Sequence, residues 1–314
     1  MEKKYRAGLI GVGSIAHIAH LPILAARNDV EMAGAFAEHI GSVQLTQKSY
    51  AIQHAVHNMD ELLSLGLDCA FVLSPKTVHA GQVIRLLEAG VDVFCEKPMG
   101  MTLKEAYDMA DASARTGRKL MIAFNRRYAP VYRKAKEIYG QISPDVLIAQ
   151  KNRPASEYRA TLENAIHMVD ILRYFCGECI KVEACSKFTD PLYETLTTAQ
   201  LQFENGSVAM LVANRASGQW VETLEMHGHN KSVLVNCPDS ITVTDAEQSH
   251  TTSMTPLAYG WAKVIDKMGF TQEVDHFFDC LAHDKEPLTN GADAYKTQEL
   301  MHRILTAAGL PGLE

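Results

Sequence analysis

Through residue 124, short apolar runs rich in β-branched side chains alternate with segments of helical periodicity. No other feature narrows the fold as far. Strands that alternate with helices form βαβ units, and these build a parallel sheet covered on both faces. The expected strands are residues 7–11, 31–36, 69–73, 91–95 and 120–124, with a further short one bracketed by His54 and His57. Helical patterns span 15–27, 78–89 and 103–116, the last with Thr102 as cap and Glu105 three residues on.

Past residue 178 the rhythm becomes that of half-buried antiparallel strands, polar alternating with apolar over 181–188, 199–203, 208–212, 221–226 and 232–235. Glu204-Asn205-Gly206-Ser207 and His229-Asn230 supply the turns. Helices follow over 273–282 and 292–308. At about 150 residues per domain, 314 residues make two. The expected division is an α/β domain with a parallel sheet over 1–124 and an α+β domain with a mainly antiparallel sheet over 125–314. A formal charge of −7 gives no electrostatic footprint for nucleic acid or an anionic membrane surface. No apolar run approaches the ~20 residues of a membrane span. Seven scattered cysteines, and no signal-peptide pattern in Met1-Glu2-Lys3-Lys4-Tyr5, point to the reducing cytoplasm. Cys176 and Cys179 form the one close pair, with no second pair to complete a metal set, so no metal is expected.

Gly11-Val12-Gly13-Ser14-Ile15-Ala16 follows the first strand and opens the first helix, the context that a dinucleotide-binding G-x-G-x-x-A turn requires. Gly11 permits the tight turn, Gly13 admits a pyrophosphate, and Ala16 allows close packing of helix on strand. The helix start, with Ser14 and Ile15, offers N–H groups and a positive dipole end to phosphates. Glu31 begins its strand, about 20 Å from the ligand edge of the sheet. Glu38, just past that strand, is the better partner for ribose hydroxyls. A carboxylate there repels a 2′-phosphate, so the expected cofactor is NAD or NADP with a lean to NAD.

Glu96-Lys97-Pro98 follows the strand ending at 95. Open parallel sheets bind ligands beyond the carboxyl ends of their strands, which places Lys97 where it can meet a substrate. Together with the glycine turn, Ser74-Pro75-Lys76-Thr77-Val78-His79 and Phe124-Asn125-Arg126-Arg127-Tyr128, this motif makes the chain resemble the glucose–fructose oxidoreductase / inositol dehydrogenase (Gfo/Idh/MocA) family along essentially its whole length. The resemblance implies a Rossmann domain followed by a large open sheet often used for homo-oligomerisation. It also implies hydride transfer between NAD(P) and a carbinol carbon of a sugar, cyclitol or related polyol. Lys97 matches the lysine that polarises the reacting oxygen, often before a cis proline bond. Ser74, Pro75 and His79 match the border of the nicotinamide ribose, and Glu96 and Lys97 join the cofactor set.

Residues 161–174 read as one amphipathic helix, with Leu162, Ile166, Val169 and Leu172 on its apolar stripe and Glu163, His167, Asp170 and Tyr174 beside it. Glu163 and His167, four apart, are surface neighbours on an α-helix. By resemblance His167 takes the hydroxyl proton, and Glu163 orients it or binds a substrate hydroxyl. Asn125, Arg126 and Tyr128 are expected to join Lys97, Glu163 and His167 at the substrate, with Arg127 and Arg153 as solvated arginines. Three departures stand out: Glu163 replaces an aspartate, Glu157-Tyr158-Arg159-Ala160 lacks a glycine pair, and Ala37 displaces the acidic residue to Glu38. An NAD(P)-binding regulator without turnover and an NAD-dependent glycoside hydrolase are the alternative readings. The choice of sugar rests on loops where no motif speaks.

Overall fold

A computed structural model describes residues 4–154, 159–188, 194–254 and 263–314, so Glu157 and Tyr158 lie outside the described residues. These residues form two compact units. The first comprises 1–123, 270–298 and 314; the second comprises 124–269 and 299–313.

The first unit holds six parallel strands: β1 (Tyr5–Ile10), β2 (Val30–Phe36), β3 (His54–Val56), β4 (Cys69–Val72), β5 (Asp92–Cys95) and β6 (Leu120–Ile122). Their order, β3-β2-β1-β4-β5-β6, is the doubly wound arrangement with its reversal between β1 and β4. Strands β4 and β6 are buried at every residue, as expected of a sheet covered on both faces. The helix Leu103–Thr116 has its full capping box, with Thr102 and Glu105 satisfying each other's backbone N–H groups. The chain leaves this unit near Asn125 and returns to it at Phe270. There the helix Phe270–His283 packs Phe277 edge-on against Phe71 and Phe94 of the sheet and Phe278 tilted against Phe71, with ring centroids 5.7–6.0 Å apart.

The first helix departs from the expected continuous α pattern. Residues Ala16–His20 are π-helical before α geometry resumes at Leu21–Ala25. Pro22 lacks the N–H that an i→i−4 bond requires, and Leu21 N–H instead reaches back five residues to the Ala16 carbonyl.

In the second unit one sheet of eight strands carries β7 (Val146–Asn152), β8 (Cys179–Phe188), β9 (Glu194–Phe203), β10 (Val208–Asn214), β11 (Val221–Gly228), β12 (Lys231–Asn236), β13 (Ser240–Asp245) and β14 (Gln248–Ser253). The order is β14-β13-β12-β11-β7-β10-β9-β8, antiparallel except where β10 meets β7. Gly206 at φ +90°, and His229 and Asn230 at φ 55° and 58°, make the two turns read from sequence. A buried row runs Ala199, Leu211, Ala149, Leu224, Val235, Ile241 across neighbouring strands. The opposite face carries the row Glu183, Gln200, Met210, Ile148, Glu225, Leu234, Thr242, Thr251.

Candidate active site

In the first unit a cavity of about 740 Å³ opens where β1, β2 and β4 end. Gly11, Gly13, Ser14, Ile15, Glu38, Ser74 and Pro75 line it, as do Val12, His39, Ser42, Thr77 and Gln82, which sequence reasoning did not single out. Gly11 is at φ +90°, and a Cβ there would lie 2.6 Å from Ser74 N and 2.7 Å from Leu73 C. Glycine at 11 is therefore demanded by both the turn and the close approach of the loop after β4. A Cβ on Gly13 would meet nothing within 4 Å, so this backbone faces open space. A bare backbone at a helix start, facing a void of this size, fits a pyrophosphate. Ala16 is fully buried behind the turn. Ser74 Oγ donates to Gln82 Oε1 at 2.6 Å.

Glu96, expected in the cofactor set, is buried and turned to the protein. Its carboxylate meets His20 Nε2 at 2.9 Å and accepts the Lys97 N–H at 3.1 Å. Burial alone raises its pKa, but the His20 hydrogen bond and the charges of His20 and Lys97 outweigh it and hold the carboxyl below its ordinary value. His20 is packed among Phe71, Phe94 and Phe270, and no sequence signal joins it to a residue 76 positions away. Lys97 is half-buried directly beyond β5, and its bond to Pro98 is cis. His79 is 1% exposed. Its Nδ1 meets the Pro98 carbonyl at 3.0 Å and its Nε2 the Ser74 carbonyl at 2.9 Å.

In the second unit residues Ala160–Ala165 are π-helical, and α geometry runs only over Ile166–Cys176. Glu163 thus lies on the wider turn and His167 on the narrower, which corrects the uniform four-residue spacing expected of one α-helix. The Glu163 carboxylate accepts the Arg159 N–H at 2.9 Å. His167 is 6% exposed. Arg127 is not solvated: with 4% side-chain exposure it makes a two-pronged pair with the fully buried Asp170, at 2.6 and 2.8 Å. Arg126 is likewise buried, gripping Glu222 at 2.6 and 2.9 Å, and Lys151 closes on the same carboxylate. Burial alone would raise the Glu222 carboxyl, yet the two cations hold it well below the carboxylate range. Asn125 donates to the Met268 carbonyl at 3.0 Å, and Tyr128 is 4% exposed. Arg126 and Asn125 are thus committed to internal partners. The Cys176 thiol is pushed up to about 12 by burial, which suits a core thiol rather than a reactive one.

Residues 5–124 match the model described as "Oxidoreductase family, NAD-binding Rossmann fold", and residues 152–309 match "Oxidoreductase family, C-terminal alpha/beta domain". The chain belongs to the Gfo/Idh/MocA family of NAD(P)-binding oxidoreductases. The Salmonella typhimurium protein named "Putative oxidoreductase YceM" is 26% identical over 312 residues, covering 95% of this chain and 96% of that one. The scyllo-inositol 2-dehydrogenase (NAD(+)) of Bacillus subtilis is 21% identical over 319 residues, covering 94% and 91%. Among solved structures, a dehydrogenase (MviM) from Clostridium difficile aligns with a TM-score of 0.88 at 24% identity, covering 97% of this chain and 100% of that one. Among the described residues no helix is long and apolar enough to cross a membrane.

Proposed function

We propose that the chain is an NAD(P)-dependent dehydrogenase or reductase acting on a secondary alcohol or ketone of a sugar, cyclitol or related polyol, with NAD preferred. The observation that carries this reading is the position of Lys97, beyond the carboxyl end of β5 on the sheet edge where the ends of β1 and β4 form the cavity. The names of relatives such as scyllo-inositol 2-dehydrogenase and D-apiose dehydrogenase support the substrate class. When bound, the nicotinamide supplies the hydride acceptor. The turn from Gly11 to Ala16 holds the pyrophosphate on backbone N–H groups, and Glu38 accepts from ribose hydroxyls. Ser74 and Pro75 form the opposite wall. The Lys97 ammonium stabilises charge that develops on the reacting oxygen, His167 takes the hydroxyl proton, and Glu163 orients that imidazole or accepts from a substrate hydroxyl.

Lys97→Ala and His167→Ala are each expected to lower kcat by about 100-fold or more while NADH affinity stays within a few-fold. Wild-type turnover in either variant would sink the assignment. The open sheet face, with Met210 52% and Leu234 44% exposed, is proposed as a homo-oligomer interface that sedimentation equilibrium reads directly. The seven free thiols support a cytoplasmic location, which cell fractionation tests.

A further inference from the structure

Four groups hold the backbone that runs from Lys97 to Thr102. Glu96 takes the Lys97 N–H, His79 the Pro98 carbonyl and Gln298 the Gly100 carbonyl, while Glu105 takes the N–H groups of Met101 and Thr102. Of these four, His79 is the one with a hydrogen bond into the cavity wall, through the Ser74 carbonyl. Ser74 in turn sits against the dinucleotide turn, so close to Gly11 that a single methyl would collide with its backbone nitrogen. One buried ring therefore stands in a continuous line of contact: Gly11, Ser74, His79, Pro98, and then Lys97 through the peptide bond.

The chemistry of the ring sharpens this. Both partners are carbonyl oxygens, which only accept, whereas a neutral imidazole carries one N–H. Burial, the largest influence, lowers the His79 pKa, while the two carbonyls, Glu96 and Glu105 act to raise it. A side chain chosen for packing alone would avoid two acceptors in a buried site, where an unmatched polar atom is destabilising.

We propose that His79 is a positioning residue, tying the Ser74 wall of the nucleotide cavity to the segment that carries Lys97, so that cofactor binding and placement of the lysine depend on one side chain. The catalytic half rests on the role proposed above for Lys97; the cofactor half does not. It also departs from the expectation that His79 itself borders the nicotinamide ribose, because the ring is buried and each nitrogen lies against a backbone carbonyl.

The test compares wild type with His79→Leu, which keeps bulk and removes the ring's polar contacts, and with His79→Gln, which retains an N–H donor. NADH titration gives Kd and the number of sites, and turnover is expressed per NADH site. The leucine variant should bind NADH about fivefold more weakly, the scale of one net hydrogen bond. Its kcat per site should fall by up to about 100-fold, the scale of a small misplacement of a catalytic group. The glutamine variant should recover part of both. A histidine with only a structural role would lower the melting temperature and the number of sites while leaving Kd and kcat per site unchanged, and that result overturns the proposal. Weaker NADH binding with kcat per site intact overturns it too, by confining the residue to the Ser74 wall. If the leucine variant does not fold, the glutamine variant carries the same comparison, with intermediate losses expected and wild-type values contrary. Lys97→Ala, run alongside, separates the two readings: if it turns over normally the role of Lys97 has failed, and the Kd shift still judges the tie to Ser74.

Discussion

Two glycines two residues apart do different work. Gly11 is constrained by the fold, through its positive φ and the backbone of Leu73 and Ser74. Gly13 is constrained by nothing in the chain itself, since its missing side chain would point into open space. Gly11→Ala should therefore lower the melting temperature and NADH affinity together. Gly13→Ala should leave the melting temperature unchanged and weaken NADH binding alone. Equal stability losses in the two variants would contradict this division. The glycine turn was legible in sequence because turn chemistry is local. The partners of Glu96 were not, because His20 reaches it only through the winding of the sheet, and a charged motif residue gives no sign of facing inward.

Among elements, the capping box before Leu103 and the turns at Gly206 and His229-Asn230 follow from neighbouring residues and were readable. Strand β7, at the centre of the large sheet, was not. Its inward positions are Leu147, Ala149 and Lys151, and a fully buried lysine hides the apolar alternation that marks a strand. Lys151 lies directly opposite Glu222 on β11, and Arg126 completes the cluster. Removing the carboxylate leaves the buried Arg126 cation without its counter-charge, and Lys151, whose pKa burial already lowers to about 7, without the group that raises it, so Glu222→Gln should cost about 3–5 kcal/mol near neutral pH. The sign with pH follows from linkage. The folded carboxyl lies well below its ordinary value of 4.5, so the unfolded chain takes up the proton first as pH falls. The share of the wild-type advantage over Glu222→Gln that comes from the carboxyl's own titration should be full above about pH 4.5 and shrink below it. Urea midpoints for both proteins below pH 4.5 check it, and a gap that does not shrink there would refute the ion cluster. The π turns at Ala16–His20 and Ala160–Ala165 were also hidden, because apolar periodicity over so few residues does not separate i→i−4 from i→i−5 bonding.

At the scale of the whole molecule, the two rhythms of the sequence correspond to two sheets of different kind, six parallel strands and eight mainly antiparallel ones. Linear reading does not show that Phe270–Gln298 belongs with the first unit, because the aromatic side chains Phe277 and Phe278 that return it would suit either core. Lys97 belongs to the first unit and His167 to the second. The most direct measurement is a spectrophotometric screen of NAD and NADP against sugars, cyclitols and keto-sugars, run on wild type and Lys97→Ala. At least one polyol should yield reduced nicotinamide with wild type, faster with NAD than NADP, and the variant should lose that rate. Folded protein that binds NADH yet reduces no cofactor with any alcohol, or releases sugar without net NADH, would contradict the account.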